Sequence, residues 1–235
     1  MSLCVSVYTR QGIVMGSDSR GSLTFNNKQA EQTMVIQGSH FFDNTQKTCL
    51  LPNNCGMSWS GDAMIKGVLA SEHIENFIKE KIKKSTVIGD LPKLALEYFN
   101  TLQKGIDSEI IFAGYQSKDK DGRRVYHLNL KDGSHDEISH NSIGIHFSGE
   151  KAFVTRMFHK STIHAQDGSI VEMEALQIPL DLMSLQDVVD FVRFVIEFTG
   201  KALHFSSQPE TVGGQTDILV MTPETSWFIS GKVLH

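Results

Sequence analysis

Nowhere in the 235 residues do roughly 20 apolar residues follow one another, the length that a membrane-crossing helix requires. The opening, MSLCVSVYTR, has no basic segment followed by an apolar stretch, so it does not read as a secretory signal. Proline is scarce, at five residues, and no Pro-rich spacer, low-complexity linker or repeat divides the chain. That points to one domain over residues 1–235. Positive charge is in deficit: 22 Lys and Arg face 27 Asp and Glu, a formal net charge of −5. Such a balance offers no basic field to a phosphate backbone, so no nucleic-acid partner is expected, and no membrane partner either. Only three cysteines occur, Cys4, Cys49 and Cys55, an odd number without metal-ligand spacing. They read as reduced, mostly buried thiols of a cytoplasmic protein. The histidines show no H-E-x-x-H or comparable pattern, so neither a metal nor another cofactor is expected.

What is present is a series of strand and helix patterns. Leu3, Val5 and Val7 alternate with Ser6 and Tyr8, the stretch from Thr9 to Gly12 turns, and Ile13-Val14-Met15-Gly16 resumes, which reads as a hairpin. Gly21 to Thr33 is polar and reads as loop. Thr48–Leu51 and Gly56–Ser60 flank Pro52-Asn53-Asn54 as a second hairpin. Asp62 is placed to cap a helix carrying Ile65, Val68, Leu69, Ile74 and Phe77, and Leu91–Gln103 is a second helix. Strands follow at Glu109–Tyr115, Val125–Leu130 and about Ile143–Phe147, with turns at Lys118–Gly122 and Lys131–Gly133. A short helix over Glu150–Phe158, a possible inserted hairpin within Lys160–Met183 and a long helix over Ser184–Leu203 come next. The chain closes on strands at Asp217–Met221 and Ser226–Ile229. This order fits an α/β (α+β) four-layer αββα sandwich, two antiparallel sheets flanked by helices. The long helix is apolar on a broad face, from Val188 to Phe198, which suggests contact with neighbouring subunits or with the 160–183 segment.

Several short stretches resemble the proteasome β-subunit family and its bacterial relatives, which include the two-component ATP-dependent protease ring and the ancestral β-subunit. The hairpin Gly12-Ile13-Val14-Met15-Gly16-Ser17-Asp18-Ser19-Arg20 is similar to the family's, and Asp18 follows Ser2 by sixteen positions. Lys47 precedes Gly61 of Ser58-Trp59-Ser60-Gly61 by fourteen. Ile111-Phe112-Ala113-Gly114-Tyr115, Ser148-Gly149 and Val212-Gly213-Gly214-Gln215-Thr216-Asp217 resemble later family elements. The loop between Arg20 and Lys47 is about a dozen residues longer than in typical members. Where active members carry Asp and Ser before the last glycine pair, this chain has Pro209 and Val212.

The resemblance implies an N-terminal-nucleophile (Ntn) hydrolase in which removal of Met1 frees Ser2, with no propeptide needed. Its α-amine, with an unperturbed pKa of about 7.7–8.0, would serve as the base. Lys47 would favour the neutral amine, Asp18 would anchor Lys47, and the Gly61 N–H would face the oxyanion. Ser148 is a possible catalytic helper or a helix cap. Arg20, Gly21, Ser22 and Trp59 fall where such proteins contact substrate, although Trp59 suits a core equally well. Cys4 is a rival nucleophile that would lack the free amine. The implied partners are further copies of the chain in a ring or helical array and a peptide or unfolded-protein substrate, with an ATP-dependent unfoldase as a further candidate. Two other functions stay open: a catalytically silent structural subunit, which Pro209 and Val212 favour, and a small-molecule Ntn amidase.

Overall fold

A computed structural model of the chain describes residues 2–29, 32–116 and 122–230, with the backbone alone over 23–41 and at 230. In chain order the first half comprises β1 (Leu3–Tyr8), β2 (Ile13–Ser17), β3 (Gly21–Gln29), β4 (Gln32–Phe42), β5 (Thr48–Leu50), β6 (Gly56–Gly61), β7 (Met64–Ile65), β8 (Val68–Leu69), α1 (Ala70–Lys81) and α2 (Leu91–Leu102). The second half comprises β9 (Ser108–Tyr115), β10 (Arg123–Asn129), β11 (His135–His140), β12 (Gly144–Gly149), α3 (Ala152–Phe158), β13 (Ser161–His164), β14 (Ile170–Met173), α4 (Leu185–His204), β15 (Asp217–Met221) and β16 (Ser226–Ser230).

Alternation along the strands builds the layers. In β1, Leu3, Val5 and Val7 turn to one core while Cys4 and Tyr8 turn to another; in β2, Val14 parts from Ile13 and Met15 in the same way. The first core lies under α4 and α3, with Val188, Val189, Val192, Val195 and Ile196 packed on it. The second lies between two five-stranded antiparallel sheets, ordered β12-β1-β2-β15-β16 and β11-β10-β9-β6-β5. In β9 the same logic sends Ile111 and Ala113 to the sheet–sheet core and Ile110 and Phe112 to a third core, under α1 and α2. Four layers result, αββα, as the element order implies.

Several local expectations change. Ile65, Val68 and Leu69 have helical spacing but form β7 and β8, because Lys66 (φ 49°) and Gly67 (φ 82°) make the doubly left-handed turn of a tight hairpin. Asp62 therefore caps no helix; α1 begins at Ala70, after Leu69. The polar segment after Arg20, expected as loop, is the ribbon β3–β4, paired from Gly21↔Phe42 to Gln29↔Gln32. The strand β11 is an addition: its HDEISH sequence is too hydrophilic to announce itself. The following strand, β12, leaves that meander and pairs with β1 in the other sheet. Apart from its glycine, the turn expected at Lys118–Gly122 lies outside the described residues.

The segment 160–183 does hold a hairpin, β13–β14. With α3 it covers part of the broad apolar face of α4: Leu180, Met183 and Phe158 pack on the same core, and Phe158 meets Phe191 edge-on at 5.6 Å. Phe194 is what that face leaves exposed. The apolar excess is thus largely consumed within the chain. Ser184 caps α4 through a reciprocal pair with Asp187. No helix among the described residues is long and apolar enough to cross a membrane.

Candidate active site

The first two strands bring Ser2 and Asp18 side by side. Pairing of Cys4 with Ser17 sets Leu3 opposite Asp18, whose Oδ1 accepts the Leu3 N–H at 3.0 Å. The same Oδ1 receives the Lys47 ammonium at 2.9 Å, and Oδ2 accepts the N–H groups of Arg20 and Gly213, each at 3.1 Å. Lys47 also donates to the Arg20 carbonyl at 2.6 Å. The Lys47 and Asp18 side chains are 5% and 1% exposed, so this is an ion pair withdrawn from water. A buried pair is tolerable when its remaining bonds are made, and here the carboxylate is saturated.

On its other side Ser2 meets the end of β12. Its carbonyl accepts the Glu150 N–H at 2.7 Å, and the backbone at Gly149 (φ 82°) lies so close that a Cβ there would collide with that carbonyl. Ser148 is fully buried at the end of β12, and its Oγ accepts from Ser60 at 3.0 Å, joining the two sheets one residue before Gly61. It caps no helix: α3 starts later, after Lys151. Gly61, at φ 125°, is pressed against the Asp107 carbonyl and Ser108, where no side chain fits.

Gly61, Gly149, Ser60 and Ser22 line one cleft of about 460 Å³. Asp62, Asp107, Ser108, Glu109 and Asn129 complete most of its wall. The sequence reading missed these, although Glu109 left a signal as a charge at the head of an otherwise apolar strand, EIIFAGY. Its carboxyl is held down to about 2, chiefly by the His127 imidazole beside it, against the opposing effect of burial. The Gly149 N–H also donates to it at 3.2 Å. His146 stands 5.0 Å from His127, ring to ring, and burial lowers its pKa to about 4.

The remaining expected residues divide. Ser22 faces the cleft, whereas Gly21 backs onto the Phe42 ring. Arg20 meets the site through its main chain only. Its guanidinium points away, bidentate on Asp43 at 2.7 and 3.0 Å and bonded to Glu210 at 3.2 Å, and it holds the Asp43 carboxyl below its usual range. Trp59 belongs to the core beneath the helices, 5.0 Å from Phe99, with its indole N–H on the Asp62 carbonyl. Alternation along β6 turns the ring to the helix side of the sheet, and it is not among the residues that line the cleft. Cys4 donates to the Trp59 carbonyl at 3.2 Å, and burial pushes its thiol up to about 12. A thiol so placed is no nucleophile. Pro209 and Val212 sit on the loop that delivers Gly213 to Asp18, but Val212 turns its side chain into the core under α4.

Two antiparallel sheets face to face, with helices outside each, make an αββα fold of the proteasome-like type. Among solved structures, Anbu (ancestral beta-subunit) from Yersinia bercovieri matches with a TM-score of 0.59 over 98% of this chain and 88% of that one, at 12% identity. At that identity the likeness is one of fold. No protein-family model and no curated protein matches the chain in sequence.

Proposed function

We propose that the chain is a proteasome-like hydrolase subunit that cleaves amide bonds with Ser2 as its nucleophile once Met1 is removed. The observation that carries this reading is the buried Lys47–Asp18 pair, whose carboxylate also takes the N–H of Leu3, the residue after Ser2. A lysine is rarely buried without a purpose that its partner and position disclose. In the proposed reaction the Ser2 oxygen attacks the substrate carbonyl carbon while its proton passes to the Ser2 α-amine. The amine returns that proton to the leaving nitrogen, the C–N bond breaks, and an ester to Ser2 remains. Water, activated by the same amine, hydrolyses the ester. Lys47 contributes its positive charge throughout, and Gly61 is the proposed donor to the oxyanion.

A second reading, a catalytically silent subunit, is favoured by one observation: the loop bearing Pro209 and Val212 offers Asp18 a main-chain N–H and places no hydroxyl or carboxylate from those two positions at the site. Intact mass and turnover separate the two. The active reading expects a mass lacking Met1 and hydrolysis of a fluorogenic peptide amide that falls by a factor of about 10² or more in Ser2→Ala. Full retention of Met1, or equal turnover in Ser2→Ala, overturns it. As a subunit the chain is proposed to assemble with further copies of itself, so light scattering is expected to report several times 26.2 kDa.

A further inference from the structure

Glu109 does two things at once. It closes one side of the cleft beside Gly61 and Gly149, and it is fixed there by partners on a single oxygen. The Gly149 N–H reaches Oε2 at 3.2 Å and His127 Nε2 stands 3.6 Å from the same atom. Oε1 has no hydrogen bond among the described residues. The cleft thus presents a carboxylate whose position is set from behind and whose second oxygen is free to meet a ligand.

The rest of the wall agrees in sign. Asp62 accepts the Asp107 N–H on Oδ2 at 3.2 Å and has no cation partner within salt-bridge distance among the described residues. Its carboxyl is raised, first by burial, with the charge of Asp107 adding to that and Lys131 acting against it. Asp107 meets Lys131 at 3.3 Å, but that pair is on the outer surface, 71% and 62% exposed, where screening leaves little neutralisation. Lys151 acts on Glu109 from beyond the cleft wall. The described lining contains no Lys or Arg; its other members, among them Ser60, Ser108 and Asn129, are neutral. At about 460 Å³ the cleft lies within the size range of small-ligand sites and is wide enough for one long side chain.

We infer that this cleft receives a cationic side chain of the substrate, a guanidinium or an ammonium, and that Glu109 is the residue that selects it. The inference rests on the proposed hydrolase reading, in which the cleft adjoins Ser2. An arginine or lysine side chain then lies along Ser60 and Gly61 with its charge on Glu109 Oε1 and Asp62. Guanidinium suits this better than ammonium, since a planar fork reaches two carboxylates together.

Binding and turnover are measured separately so that the two readings fail separately. p-Aminobenzamidine is titrated by fluorescence against the whole chain, beside its neutral analogue p-aminobenzamide. The expected result is amidine binding at least about tenfold tighter than amide, weakened about tenfold in Glu109→Gln and weakened by salt. Asp62→Asn provides a second, independent variant should Glu109→Gln unfold, which thermal melting reports. Equal binding of amidine and amide, or unchanged amidine binding in both folded variants, overturns the inference. Peptide amides with Arg, Leu or Glu before the cleaved bond then address the reaction. Preference for Leu or Glu sinks the inference and leaves the hydrolase reading standing. Cleavage of none of them, with selective amidine binding, sinks the hydrolase reading and leaves the cation site.

Discussion

Two carboxylates flank the start of β1, and they are built to opposite plans. Asp18 is buried, and four donors, the N–H groups of Leu3, Arg20 and Gly213 and the Lys47 ammonium, occupy both its oxygens. Glu109 is half-buried, is held on one oxygen, and lines a cleft. The first arrangement spends all its bonding capacity on the protein and can only hold things in place. The second keeps capacity in reserve, which is what a group meant for a ligand needs. The contrast separates a residue that builds the site from one proposed to read what enters it.

The sharpest way to break the comparison is Asp18→Asn. Every group facing Asp18 is a donor, so one face of the amide would put N–H against N–H and leave the Lys47 ammonium buried without a counter-charge. A loss of about 3–5 kcal/mol in urea unfolding is expected; a loss below about 1 kcal/mol would mean that the pair is open to water. Gly149→Ala comes next, because it adds a side chain at φ 82° and drives it into the Ser2 carbonyl. About 2–3 kcal/mol is expected from strain and collision together, with turnover lost even where the fold survives.

His146 tests the Glu109 side by pH. Its pKa is depressed from 6.5 to about 4, so the unfolded chain binds its proton more readily. The stabilisation is whole above 6.5 and is lost as pH falls through about 4. Wild type should lose on the order of 2 kcal/mol more than His146→Gln across that window, read from urea midpoints; parallel curves would remove this account. The smallest effect belongs to Glu109→Gln at neutral pH, under about 1 kcal/mol because the carboxyl borders solvent. Its depressed carboxyl contributes above 4.5 and gives that up as pH falls towards about 2, so variant and wild type should converge in acid. A Glu109→Gln loss as large as that of Asp18→Asn would erase the distinction between the two groups.

How much of this was legible depends on whether the signal was local. The hairpin that sets Asp18 opposite Leu3 is written in adjacent alternating residues, and the long helix from Ser184 in the spacing of its apolar ones. The spacing from Lys47 to Gly61 spans a single hairpin. Partner choice was not legible: the alternation of β12 says strand, but nothing in it says that Tyr8, far back in the chain, is opposite Gly144. Lys66-Gly67 hid a tight turn because a lysine at positive φ is an uncommon choice. The acidic cleft stayed hidden because Asp62, Asp107 and Glu109 read one by one as surface charges, and only the pairing of Gly61 with Ser108 gathers them.

The bond from the Gly213 N–H to Asp18 spans 195 positions. During synthesis, then, the carboxylate that anchors Lys47 waits for nearly the whole chain before its last donor exists. Closing so long a loop is entropically expensive and belongs late in folding. Until then Lys47 and Asp18 remain wet and loosely placed, so a half-made chain holds the parts of the candidate site without the arrangement. On the proposed hydrolase reading, the order in which the ribosome delivers the segments acts as a delay on activity.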